Sequence, residues 1–114
     1  MRLTELIQKL NLSVRSAKAH LGREVTGGYA SDLLSDVLAN SEEGNLWITL
    51  QIHQNIVGVA SMKDLAGIIL VNNREPEQDT LEKAEAERLP IMVTEMPTFE
   101  LVGKLYSLGI VGTK

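Results

Sequence analysis

The feature that most constrains the fold is a regular alternation of short apolar runs and amphipathic segments from Val25 onward. The runs LWITLQI, LAGIILV and PIMVTE carry apolar residues on both faces, which is typical of strands buried in a parallel sheet. Segments with helical spacing, such as SDLLSDVLAN and TLEKAEAERL, lie between these runs. Four strand–helix units in a row predict an α/β fold. We expect a three-layer sandwich, in which helices flank a mostly parallel sheet of about four to five strands.

The N-terminal part of the chain has a different pattern. Leu3, Leu6, Ile7 and Leu10 are spaced as on one face of a helix, whereas the following stretch from Asn11 to Val25 lacks a clear period. We expect an irregular or short-strand connection there. VTGGYA predicts a short strand, or a strand that ends in a turn.

Length and composition bound the possible functions. A chain of 114 residues is expected to form one domain over 1–114. The net charge of −4 argues against binding to nucleic acid or to an anionic membrane. No cysteine is present, which excludes disulfides and thiolate chemistry and fits a cytoplasmic protein.

Polar side chains follow several of the predicted strands. Ligands of open α/β sheets bind beyond the carboxyl ends of the strands, so we expect these residues to share one rim. Asn72, Asn73 and Arg74 follow the third predicted strand, and Thr94, Glu95 and Thr98 follow the fourth. The predicted ligand-binding residues come from the first two strand ends, and they are Gly27, Gly28, Ser31, Asp32, His53, Gln54 and Asn55.

Gly27 and Gly28 have two interpretations. They form either a bend that needs positive φ or close packing, or a cradle whose free N–H groups bind a phosphate. Neither G-x-x-x-x-G-K-[ST] nor G-x-G-x-x-G occurs in the chain. The sequence leaves both interpretations open, although the absence of these motifs favours the bend.

His53 also has two interpretations. It is either a hydrogen-bonding residue at the start of a helix, or a ligand contact or proton-transfer group. The only other histidine is His20, so a zinc site is not expected. No G-x-S-x-G motif marks a nucleophile. We therefore predict no catalytic residues, no metal and no cofactor.

The blocks SDLLSDV, WITLQ and FEL, together with Thr26-Gly27-Gly28, resemble the DRTGG domain family. The resemblance covers nearly the whole chain. Thr26, Gly27 and Gly28 match the last three letters of the family's name, whereas Glu24 and Val25 stand where the name has Asp and Arg.

The resemblance implies an α/β domain similar to the N-terminal domain of HPr kinase/phosphorylase, which does not carry the kinase site. Other DRTGG domains lie beside CBS domains in regulated pyrophosphatases, where they resemble regulatory and dimer-forming modules. We therefore expect a non-enzymatic regulatory module that forms a homodimer and senses a small nucleotide or phosphorylated ligand. The alternative is a small phosphoryl- or acyl-transfer enzyme with His53 as general base.

Overall fold

The computed structural model of the chain describes residues 1–112. The helices and strands follow one another as α1 (Leu3–Leu10), β1 (Ser13–Val14), β2 (Gly27–Ala30), α2 (Leu34–Asn40), β3 (Asn45–Thr49), α3 (Asn55–Met62), β4 (Gly67–Leu70), α4 (Gln78–Ala86), β5 (Ile91–Val93) and α5 (Thr98–Ser107). The strands form one sheet in the order β1-β5-β4-β3-β2. Strands β2 to β5 are parallel, and β1 is antiparallel to β5.

Helices cover both faces of this sheet, which confirms the predicted three-layer α/β sandwich. On one face, Val37 of α2, Ile56 of α3 and Ala84 of α4 pack against Trp47 and other side chains of the sheet. On the other face, Leu3 and Leu6 of α1 and Leu101 and Leu105 of α5 pack against Met92. All residues of β3, β4 and β5 are buried. Helices cover both faces of these strands, which explains why their apolar residues do not alternate with polar ones.

The order of the strands decides which helix covers which face. The chain steps from β2 to β3, β4 and β5 in one direction, and right-handed crossovers in one direction place their helices on the same face. After β5 the chain turns back through α5 on the opposite face and returns beside β2. There the N–H of Gly28 donates a hydrogen bond to the carbonyl of Val111 at 2.9 Å. The connections that follow β4 and β5 therefore diverge toward opposite faces.

The segment from Asn11 to Val25 is largely irregular, and its only strand is the two-residue β1. This agrees with the prediction from the absence of a regular apolar spacing. Helix α2 begins at Leu34 with Leu33 as its N-cap residue, so the segment SDLLSDVLAN is helical only from its fourth residue onward. The Ser31 hydroxyl accepts a hydrogen bond from the N–H of Leu33 at 3.1 Å, which forms a turn ahead of the helix. Within residues 1–112, no helix has the length and apolar composition that crossing a bilayer requires.

Candidate functional site

Gly27 and Gly28 are the first two residues of β2, and they lie opposite Asn45 and Leu46 at the start of β3. The expectation that they follow a strand is therefore wrong. Neither glycine has a positive φ. A Cβ atom on Gly27 would lie 3.0 Å from the carbonyl oxygen of Val111, so this glycine allows close approach of the returning chain. The pair is part of the sheet because its backbone bonds both to β3 and to the segment that follows α5.

Ser31 and Asp32 follow the carboxyl end of β2 and fasten it to β3. The Asp32 carboxylate accepts hydrogen bonds from the Thr49 hydroxyl at 2.7 Å and from the Leu50 N–H at 2.8 Å. The Ser31 carbonyl accepts a bond from the indole N–H of Trp47 at 2.8 Å. These bonds satisfy the buried indole and align the two strand ends.

His53, Gln54 and Asn55 lie where β3 leads into α3, and all three are exposed. The Nδ1 atom of His53 lies 3.0 Å from a carboxylate oxygen of Glu77. The N–H of Glu77 in turn donates to the carbonyl of Ile52 at 3.2 Å. The start of α4 is thus tied to the connection that follows β3.

The structure divides the predicted rim between the two ends of the sheet. Ser31, Asp32, His53, Gln54 and Asn55 lie at the edge where the parallel strands end, which we call the carboxyl edge. Gly27 and Gly28 lie at the opposite edge, because they pair with the first residues of β3. The length of β3 separates the two edges by roughly 13 Å, at a rise of about 3.3 Å per residue. One pocket cannot be built from His53 and the two glycines.

A crevice of about 520 Å³ lies at the carboxyl edge where the connections after β4 and β5 diverge. Its walls come from the end of α1, from β1, from α5 and from the two diverging connections. The lining residues are Lys9, Leu10, Asn11, Ser13, Arg15, Asn73, Val93, Thr94, Glu95, Met96 and Lys104. A point where adjacent strands send their helices to opposite faces is the place where open α/β sheets bind ligands.

Two asparagines join the diverging connections beside this crevice. The N–H of Asn72 donates to the carbonyl of Met96 at 3.0 Å, and the N–H of Asn73 donates to the carbonyl of Thr94 at 2.8 Å. Both asparagines have left-handed φ values, 55° and 57°, a conformation that asparagine tolerates better than most residues. Their backbone therefore fixes one side of the crevice.

The charges that line the crevice are unequal. Lys9, Arg15 and Lys104 face one acidic residue of the lining, Glu95. Arg15 is bound to the carboxylate of Glu75 through two hydrogen bonds of 2.8 and 2.7 Å. These bonds lower the pKa of Glu75 and raise that of Arg15. Lys9, Lys104 and Glu95 form no ion pair with any residue of the described part of the chain.

Sequence reasoning found part of this crevice and missed the rest. Asn73, Thr94 and Glu95 are among the residues that the sequence predicts after the third and fourth strands, whereas the predicted ligand-binding residues follow the first two strands. Lys9 and Lys104 lie on helices that carry ordinary amphipathic patterns. Only the position of α1 and α5 on the same face of the sheet brings their charges together. After β5 the chain reverses its path across the sheet. Local sequence patterns do not reveal this reversal, because they do not determine the order of the strands.

No protein-family model and no curated protein matches the chain. Among solved structures, the chain is similar to the crystal structure of the CBS and DRTGG domains from the regulatory region of Clostridium perfringens pyrophosphatase, complexed with the activator diadenosine tetraphosphate. The match has a TM-score of 0.70 at 14% identity and covers 99% of this chain. The fold is DRTGG-like. At this level of identity the likeness shows the fold alone, and the chain spans 50% of the length of that regulatory region.

Proposed function

We propose that this DRTGG-like chain is a cytoplasmic, non-enzymatic regulatory module that binds a small nucleotide or phosphorylated ligand. The observation that carries this proposal is the crevice at the carboxyl ends of β4 and β5, where the two connections diverge. A regulatory role is supported by the likeness in fold to a pyrophosphatase regulatory region that was crystallised with a dinucleotide activator. The ligand would act by changing the stability or the partners of the domain.

Five residues of the predicted rim remain candidate contacts in this proposal, because they lie at the same edge of the sheet as the crevice. They are Ser31, Asp32, His53, Gln54 and Asn55. Asp32 and Glu77 place two carboxylates at this part of the edge. Their negative charge repels phosphate, so this part of the edge suits hydroxyl and amine groups better. Gly27 and Gly28 are not included.

A thermal-shift screen over nucleotides and phosphorylated metabolites tests this proposal. A ligand at about 100 times its dissociation constant stabilises the folded chain by about 2.7 kcal/mol, which raises the melting temperature by several degrees. We expect at least one phosphorylated compound to produce such a shift at millimolar concentration. A screen in which no compound shifts the melting temperature would remove the sensing function.

We further propose that the module is a homodimer, which is supported by an apolar stripe on helix α5. Phe99 is 88% exposed and Tyr106 is 56% exposed. The two lie seven residues apart, on the same side of the helix, and the half-buried Val102 lies between them. We call Phe99, Val102 and Tyr106 the α5 stripe. Large apolar side chains exposed in this way mark a surface for association, and a second copy would present the same stripe.

A small phosphoryl- or acyl-transfer enzyme is the second candidate, and one observation favours it. The Nδ1 atom of His53 contacts Glu77, and the His53 side chain is 61% exposed. A carboxylate that orients a histidine through one ring nitrogen leaves the other nitrogen to act as a general base. Hydrolysis of p-nitrophenyl phosphate and p-nitrophenyl acetate by the purified chain distinguishes the two candidates. The regulatory proposal predicts no turnover, whereas turnover that His53→Gln abolishes and His20→Gln retains would establish the enzyme.

A further inference from the structure

We infer that the crevice holds the phosphate groups of the ligand, and that the ammonium groups of Lys9 and Lys104 bind them. This inference rests on the proposed function. It adds to that function the identity of the residues that bind the phosphate. The chemical class is a phosphate ester or polyphosphate, as in a nucleotide or a sugar phosphate.

The balance of charge is the first argument. The chain has a net charge of −4, yet three of the four charged residues that line the crevice are basic. Arg15 is compensated by Glu75. Lys9 and Lys104 are exposed and have no anionic partner within residues 1–112. A local excess of positive charge in a concave surface attracts small anions, and here it occurs on an acidic protein.

The convergence of the two lysines is the second argument. Each lies in the last turn of its helix, where a cation is favoured by the helix dipole. Lys83 has the same position on α4, and it does not line the crevice. The dipole therefore accounts for each lysine separately, but it does not account for two of them at one crevice. The volume of about 520 Å³ lies within the usual range for small-molecule sites, about 300–1,000 Å³.

Glu95 refines the identity of the ligand. Its carboxylate lies in the same lining without a cationic partner among the described residues, and it would repel a bare phosphate. A carboxylate accepts hydrogen bonds from hydroxyl groups. We therefore expect a ligand whose phosphate meets the lysines while its sugar hydroxyls meet Glu95. Replacement of Glu95 by glutamine should favour inorganic pyrophosphate.

Isothermal titration calorimetry of the full chain with ATP and with inorganic pyrophosphate tests this inference. We expect wild-type protein to bind ATP more tightly than pyrophosphate. Lys9→Gln and Lys104→Gln should each weaken binding roughly 3–10-fold, because each lysine is exposed and its loss costs about as much as one ordinary hydrogen bond. Glu95→Gln should strengthen pyrophosphate binding. The matched control is Lys83→Gln, which removes a lysine from the same helical position outside the crevice and should leave both affinities unchanged.

The outcomes separate this inference from the proposed function. Circular dichroism and melting curves without ligand first establish that each variant is folded. If wild-type protein binds neither probe and no compound in the wider screen, both proposals fall. If wild-type protein binds ATP and the Lys9→Gln/Lys104→Gln double variant binds it equally well, the sensing function is retained. The assignment of the phosphate to the crevice is then wrong. Equal losses in Lys83→Gln and in the double variant would also overturn the inference, because general charge attraction would then explain binding.

Discussion

Arg15 and Glu75 form a two-point ion pair across 60 positions of the chain, with Nε donating to one carboxylate oxygen at 2.8 Å and Nη2 to the other at 2.7 Å. The pair joins the segment after β1 to the connection after β4, beside the crevice. Two parallel hydrogen bonds from one guanidinium to one carboxylate are the strong form of such contacts. It therefore holds the edge strand β1 against the part of the sheet that the ligand is proposed to approach.

Replacement of Glu75 by glutamine should lower the free energy of unfolding at neutral pH by about 0.5–1 kcal/mol, the upper range for a surface ion pair. The Arg15 side chain is 34% exposed and that of Glu75 is 54% exposed, so solvent screens part of the attraction. Bonding to Arg15 lowers the pKa of Glu75 in the folded chain. The stabilisation is therefore complete above the ordinary glutamate pKa of about 4.3 and is lost as the pH falls through the folded value.

Urea denaturation of both proteins between pH 3 and 7 measures this effect. The difference between wild type and Glu75→Gln should be largest near neutral pH and should shrink below about pH 4.3. Glu87→Gln is the control, because Glu87 is exposed and forms no ion pair within residues 1–112. A difference that grows on acidification would contradict the assignment.

Gly27 and Gly28 should respond differently to replacement by alanine. A Cβ on Gly27 would lie 3.0 Å from the backbone oxygen of Val111, whereas a Cβ on Gly28 has its nearest neighbours at 3.8 Å. Gly27→Ala should destabilise the fold by about 1–3 kcal/mol, as overpacking does, and Gly28→Ala by much less. Melting curves compare the two variants. Equal effects on stability would contradict the packing explanation of Gly27, whereas a loss of ligand binding without a loss of stability would restore the phosphate-cradle interpretation.

Asp32 should contribute to stability through its two hydrogen bonds to β3. Asp32→Ala leaves the Thr49 hydroxyl and the Leu50 N–H without this acceptor, and we expect a loss of about 1–2 kcal/mol. Asp32→Asn keeps an acceptor oxygen and should lose less. Denaturation in urea distinguishes the two. An asparagine variant as unstable as the alanine variant would show that the charge, and not the hydrogen bonds, is responsible.

The α5 stripe should govern self-association. Phe99→Ser should convert a dimer into a monomer, because it removes a side chain that is 88% exposed and apolar. Met62 on α3 is 76% exposed, so Met62→Ser removes a comparable apolar surface elsewhere. Light scattering coupled to gel filtration should give twice the chain mass for wild type and Met62→Ser. A monomeric wild type, or a dimer that persists in Phe99→Ser, would refute the proposal that the α5 stripe forms the dimer interface.

Most of the fold could be predicted from local patterns. Buried strands such as β3 and β4 have no polar alternation because helices cover both faces, and that signal is visible in single runs. Helix α1 matches its apolar spacing from Leu3 to Leu10. The position of Gly27 and Gly28 could not be read in this way, because a glycine pair fits a turn as well as a strand. The contact with Val111 that explains Gly27 spans most of the chain.

The candidate site depends even more on long-range order. Asn73 and Thr94 were predictable as residues near strand ends. Their meeting with Lys9 requires β1 to join the sheet beside β5, and the meeting with Lys104 requires α5 to return on the face of α1. Neither relationship has a local sequence signature. The paired Arg15 and Glu75 illustrate the same limit, since neither residue lies in a recognisable motif.

Titration of isotope-labelled protein with ATP, followed by two-dimensional amide NMR, tests the central claim most directly. Our account predicts chemical-shift changes centred on the crevice, at the amides of Lys9, Asn73, Thr94 and Glu95, with little change at Gly27 and Gly28. Shift changes centred on Gly27 and Gly28, or no saturable change at any amide, would contradict it.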